Sequence, residues 1–182
     1  GKLYRFSGFD LGTASQVGSS LDKAYDRVLA SHDGSLVLLY ASGSEKPVLR
    51  STDYGQTFKK GPSHKFTAYG CMSRDGRYVY MGREKVWRSS DYGQTFVKIR
   101  DTSSKSDMKL ACSDDGEILT VTYGTYTITD EYGSDEFGEA HLQFMGLVFR
   151  NHGDTLLPTL MNDFPSSHYS DLDNYGWGSA VS

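Results

Sequence analysis

The chain has 182 residues and a formal net charge of −4, long enough for one substantial hydrophobic core. Its lysines and arginines are scattered, which argues against a nucleic-acid footprint, and no apolar run reaches the length of a membrane span. With 13 tyrosines and 20 glycines against 4 prolines, the composition suits many short strands joined by glycine turns. No charged-then-apolar stretch at the N-terminus marks a signal peptide. Gly1 is read as a tag scar, a processed terminus or an excised segment, so localisation stays open, with a virion or an extracellular or surface setting slightly favoured.

In chain order, Leu3-Tyr4-Arg5-Phe6 reads as a strand followed by a turn at Asp10-Leu11-Gly12. These residues form the back half of a repeat unit, over about 1–20. The first complete unit, about 25–62, has strands at 27–31, 35–41, 47–52 and 57–60. Its first hairpin turns at Asp33-Gly34, a strong hairpin signal between two strand-like runs. Its second outer turn is the octapeptide Ser51-Thr52-Asp53-Tyr54-Gly55-Gln56-Thr57-Phe58.

The second unit, about 64–100, has strands at 65–72, 77–82, 85–90 and 95–99. It repeats both features, with Asp75-Gly76 in the first turn and Ser89-Ser90-Asp91-Tyr92-Gly93-Gln94-Thr95-Phe96 in the second. Asp91 follows Asp53 by 38 residues (91 minus 53). Arg50 and Arg88 stand just before the two octapeptides, a shared place that points to a structural role.

A third unit, about 105–143, begins with Met108 to Ser113 and turns at Asp115-Gly116. The Asp-Gly turns are spaced by 42 (75 minus 33) and 40 (115 minus 75) residues, a period that marks propeller-like repeats. Its outer turn is expected at Glu131-Tyr132-Gly133, where Asp135 and Glu136 displace the Thr and Phe of the earlier copies. The acidic run from Asp130 to Glu139 is read as a solvated loop. A fourth unit, about 145–182, is expected to open with Leu147 to Gly153 as its first strand and turn. Leu156 to Met161 would be its second strand, kept to an edge or a bulge by Pro158, and Ser170 to Trp177 its outer turn.

Cys71 and Cys112, the two cysteines, fall in corresponding segments one register step apart. Their side chains should therefore leave opposite sides of their strands, as two reduced thiols rather than a disulfide.

The two octapeptides match every fixed position of S-x-D-x-G-x-T-[WF], and they resemble the Asp box of bacterial neuraminidase repeats. In that family the box is a hairpin turn joining the outer two strands of a propeller blade, away from the catalytic face. The resemblance implies an all-β fold, a β-propeller-like array of four-stranded antiparallel blades with Asp-box hairpins. It assigns structural turn roles to Ser51, Asp53, Gly55, Thr57 and Phe58, and to Ser89, Asp91, Gly93, Thr95 and Phe96. The chemistry of a tight turn agrees, because an Asp there accepts neighbouring N–H groups and a glycine supplies a positive φ. Four units and a half leave open whether the chain closes a small ring, forms a segment of a larger propeller, or is completed by assembly.

The same family contains sialidases, which grip a carboxylate with three arginines and use a Tyr–Glu pair. The R-I-P type motif near the first of those arginines is absent here. No spacing selects a triad from Arg5, Arg27, Arg74, Arg77, Arg83, Arg100 and Arg150. Asp171-Leu172-Asp173-Asn174-Tyr175-Gly176 resembles the opening of a calcium loop, but Tyr175 breaks its fifth position and Ser182 stands at its twelfth, so a turn is the reading. His32, His64, His141, His152 and His168 lack metal-ligand spacing. There is no phosphate-cradling glycine loop and no G-x-S-x-G elbow.

The expectation is a non-enzymatic interaction or structural module within a larger assembly, such as a viral particle or a cell-surface complex. Other protein subunits are the expected partners, and no cofactor, metal or nucleic acid is expected. The alternative is a carbohydrate-binding lectin or a sialidase-like glycoside hydrolase domain, with a glycan as ligand. An intracellular or photosynthetic assembly factor is a third reading.

Overall fold

The computed structural model describes residues 3–5, 15–17, 25–41, 46–63, 69–82, 84–102, 108–128, 140–157 and 162–163. Among them every regular element is a β-strand, apart from one 3-10 turn at Asn151–Gly153. At the N-terminus β1 (Leu3–Arg5) pairs antiparallel with β2 (Ser15–Val17). The turn expected at Asp10-Leu11-Gly12 between them lies outside the described residues.

Three antiparallel sheets follow, each a meander in sequence order. The first contains β3 (Arg27–Ala30), β4 (Val37–Tyr40), β5 (Pro47–Ser51) and β6 (Lys59–Ser63). The second contains β7 (Tyr69–Met72), β8 (Val79–Gly82), β9 (Lys85–Ser89) and β10 (Val97–Asp101). In both, the register shifts near the outer edge, between Pro47 and Leu49 and between Lys98 and Arg100. Such bulges bend and twist an edge strand.

The third sheet departs from the expected units. It orders β11 (Met108–Cys112), β12 (Leu119–Ile128), β13 (Ala140–Arg150) and β14 (Thr155–Leu157), with β15 (Asn162–Asp163) also pairing β13. β12 and β13 pair continuously from Leu119↔Phe149 to Ile128↔Ala140. The expected boundary between units at 143–145 therefore falls inside a strand. Leu147 to Gly153 is not the opening strand of a fourth unit; it ends the third strand of this sheet and makes its outer turn. The physical reason is burial: Leu147 and Phe149 face the same interior as Val121 and Leu119, so the sheet extends where the sequence pattern restarts. Glu131-Tyr132-Gly133, Pro158 and the 170–177 stretch lie outside the described residues.

The sheets stand face to face, with β3 beside β7 and β7 beside β11. Alternation along each strand sends one set of side chains to each neighbour. Between the first and second sheets lie Leu36, Leu38, Tyr40, Val48, Val79, Met81 and Phe96. Between the second and third lie Tyr80, Val86, Leu110, Leu119, Val121, Leu147 and Phe149. Each fully buried side chain of this size contributes about 1.5–3 kcal/mol. In the middle sheet β8 is covered on both faces, with Val79 and Met81 packed toward the first sheet and Tyr80 toward the third.

The arrangement also decides where the two cysteines lie relative to each other. Cys71 on β7 faces the third sheet and Cys112 on β11 faces the second. Leaving opposite sides of neighbouring strands sends both thiols into the interface between the second and third sheets, against the cluster that holds Tyr80, Leu110 and Leu119. Both are free thiols.

Candidate functional site

The two octapeptides form the same turn. Ser51 Oγ donates to Asp53 Oδ1 at 2.6 Å and accepts the Gly55 N–H at 2.9 Å. The Asp53 carboxylate accepts the Thr57 N–H at 2.9 Å and the Thr57 hydroxyl at 2.6 Å. In the second copy, Ser89 Oγ donates to Asp91 at 2.7 Å and accepts the Gly93 N–H at 2.8 Å, while Thr95 donates twice to Asp91. Gly55 and Gly93 have φ of 79° and 77°, and the residues before them, Tyr54 and Tyr92, have φ of 60° and 62°. Phe96 is buried between the first and second sheets, and Phe58 is half-buried in the matching place.

The first hairpin turns, at the same end of the sheets, carry a second repeated constellation: a buried Ser two residues before the Asp of Asp-Gly. Ser31, Ser73 and Ser113 donate to Asp33, Asp75 and Asp115, and their hydroxyls accept the N–H of Leu36, Tyr78 and Ile118. The triple Ser-x-Asp-Gly was present in the sequence, at the spacing of the Asp-Gly pairs, and gave the signal for it.

These turns are joined across the sheets by a repeated set of bonds. The His32 N–H donates to Arg74 O, and the Arg74 N–H to Asp114 O, at 2.9 and 2.7 Å. Within each sheet the outer turn donates to the first turn, through Tyr54 N–H to Ser35 O, Tyr92 N–H to Arg77 O and His152 N–H to Glu117 O. His152 thus occupies the place of Tyr54 and Tyr92, with φ of 55° before Gly153 at 93°. Arg50 Nε donates to Tyr92 O at 2.7 Å, and Arg88 Nη1 donates to His152 O in the same way. Arg88 also pairs with Asp154 at 2.8 Å. The sequence places a first turn at Asn151-His152-Gly153 rather than an outer one, because this stretch lacks the Ser, Asp and Thr of the other two outer turns.

An open cavity of about 750 Å³ lies on this turn face, lined by His32, Arg74, Arg77, Tyr78, Asp114 and His152 among others. Arg74 reaches from His32 Nε2, 3.1 Å away, to Asp114, also at 3.1 Å, so equivalent positions of three sheets form one polar row. Tyr78 stacks on His152 with ring centroids 3.9 Å apart and planes within 6°, and the Arg77 guanidinium lies over its ring at 5.3 Å. Tyr54 and Tyr92, by contrast, are 49% and 41% exposed.

The turn carboxylates are held ionised. The Ser31 hydroxyl, followed by the Ser35 N–H and hydroxyl, lowers Asp33 from 3.8 to about 2. The Ser51 and Thr57 hydroxyls, with the Thr57 N–H, do the same for Asp53, also to about 2. At Asp75 and Asp91 partial burial pushes upward, but the donors from Ser73 and Arg77, and from Thr95 and Ser89, outweigh it and the net shift is downward. A carboxylate fixed in this way by internal donors is a poor general acid. In the interior, burial raises Tyr40 to about 12 and pushes the Cys71 thiol upward. Among the described residues no group of three or more His, Cys, Asp or Glu is placed to hold a metal ion.

No protein-family model and no curated protein matches the chain. Among solved structures it is similar to the Niastella koreensis GH74 enzyme, at 16% identity and a TM-score of 0.42, over 71% of this chain. The match spans 17% of that enzyme's chain.

Proposed function

We infer that the chain is a non-enzymatic interaction module with a β-propeller-type architecture, whose turn face binds other protein subunits in a larger assembly. Its octapeptide turns are taken as Asp boxes and its sheets as blades. A viral particle or a cell-surface complex is the kind of assembly intended. The observation that carries this reading is the division of labour within the turns. Every repeated carboxylate is consumed by internal hydrogen bonds, while Tyr54 and Tyr92 stand exposed at matching positions of successive sheets. Exposed tyrosines on a rigid, hydrogen-bonded frame are suited to protein recognition, because they offer large contact area at low entropic cost.

Light scattering on the purified chain tests the proposal. A defined oligomer is expected, and it should shift toward monomer in the double variant Tyr54→Ser/Tyr92→Ser without loss of the folded far-ultraviolet spectrum. A monomeric chain that hydrolyses fluorogenic glycosides would overturn the reading.

The cavity favours one second reading, a glycan-binding module. Arg74, Arg77 and Asp114 offer donors and acceptors of the kind that fix sugar hydroxyls. Binding on a glycan array that is lost in Arg74→Ala and retained in the tyrosine double variant would support it over the first.

A further inference from the structure

Cys71 and Cys112 are separated by 41 residues of chain (112 minus 71), yet both pack on one cluster where the second and third sheets face each other. β7 and β11, which carry them, lie side by side, and each residue points toward the other strand's sheet. Both side chains are half-buried and pack on the cluster containing Tyr80, Leu110 and Leu119. In the sister positions the chain uses Leu29 and Ala111 for Cys71, and Ala30 and Met72 for Cys112. A thiol is therefore not required by the packing at either place. Two partly exposed thiols on one cluster, carried by adjacent strands that the Arg74 N–H to Asp114 O bond of 2.7 Å ties three residues after Cys71 and two after Cys112, are placed for the approach that a disulfide needs. Burial raises the Cys71 thiol, so the reaction calls for alkaline pH.

We propose that Cys71 and Cys112 are a redox modification site, closing reversibly into a disulfide that clasps the second sheet to the third. The co-reactant is a small-molecule disulfide such as oxidised glutathione. One thiolate attacks it, forms a mixed disulfide and releases one reduced glutathione. The second thiol then displaces the other glutathione, forming the Cys71–Cys112 bond. Two electrons pass from the protein thiols to the oxidant, and the two thiol protons end on the two released glutathiones. The closed loop restricts the unfolded chain, so the oxidised form is the more stable one.

The experiment is incubation of the native chain with excess oxidised glutathione at mildly alkaline pH, followed by alkylation and digestion without reduction. The expected product is an intact chain lighter by two hydrogens and a single peptide pair joining Cys71 to Cys112, restored by dithiothreitol. The oxidised chain should also unfold at higher urea than the reduced one. Cys71→Ala and Cys112→Ala, which copy Ala111 and Ala30 of the sister sheets, should each accumulate a glutathione adduct on the remaining thiol. Stable glutathione adducts on both wild-type cysteines, or two thiols that stay alkylatable while the urea-denatured chain cross-links, would overturn the proposal. Failure of both single variants to take an adduct would overturn it too, because the oxidant could not reach the site.

Discussion

The most constrained residues in this protein are its turn serines. Ser51, Ser73 and Ser89 are each 1% exposed. Ser89 donates to Asp91 and accepts the Gly93 N–H, so replacing it with Ala leaves a buried N–H without its acceptor. Ser89→Ala should cost about 1–3 kcal/mol, read from urea denaturation; an unchanged midpoint would contradict this account of the turn. The carboxylates these serines serve make a separate prediction about pH. Asp33 and Asp53 have folded values near 2 against an ordinary 3.8, so they favour the folded state above the ordinary value. That contribution is lost as pH falls from about 4 toward about 2. Melting temperature should therefore drop through this window, and the drop should be shallower in the double variant Asp33→Asn/Asp53→Asn. Identical pH profiles for the two proteins would mean that the bonds seen at these carboxylates do not stabilise the fold.

At the scale of elements, what matters is how a turn on one sheet meets the next. Gly93 has φ of 77°, and an added Cβ would lie 2.9 Å from Leu38 Cδ1 on the first sheet. Gly93→Ala should cost about 1–3 kcal/mol from the backbone conformation alone, with further loss from the contact. Gly146, in the middle of β13, has open space around an added Cβ, so Gly146→Ala should change stability by no more than about 0.5 kcal/mol. Denaturant midpoints of the two variants compare a turn glycine with a strand glycine directly. Tyr80 gives a third test. Its hydroxyl crosses from the second sheet to Gly116 O on the third at 2.6 Å, within the buried interior. Tyr80→Phe leaves that carbonyl short of a donor and should cost about 1–3 kcal/mol.

For the whole molecule, the bonds between sheets repeat with the same polarity from the first to the third. The first turns of neighbouring sheets are tied by backbone bonds, from His32 to Arg74 and from Arg74 to Asp114. Arg50 and Arg88 each reach the carbonyl at the tip of the next outer turn. In the register of the third sheet the corresponding position is Val148, which has no donor to extend the series. Among the described residues the series of arginine ties therefore stops at the third sheet, the same sheet whose strands β12 and β13 are lengthened.

The sequence alone determined the first two sheets nearly strand for strand. Local chemistry suffices there: Asp-Gly fixes one hairpin, the octapeptide fixes the other, and period-2 alternation supplies the strands between them. It determined the structural place of Arg50 and Arg88 as well, through their shared position before the octapeptides. Only the tertiary structure decided the third sheet, because a strand followed by a glycine turn looks alike whether it opens a unit or closes one. Pairing of Leu147 and Phe149 with Val121 and Leu119 over a common core settled which it was. The shared interface of Cys71 and Cys112 was decided at the same level. Strand alternation gives the side from which each thiol leaves, but only the face-to-face packing of two sheets says that those sides are one interface.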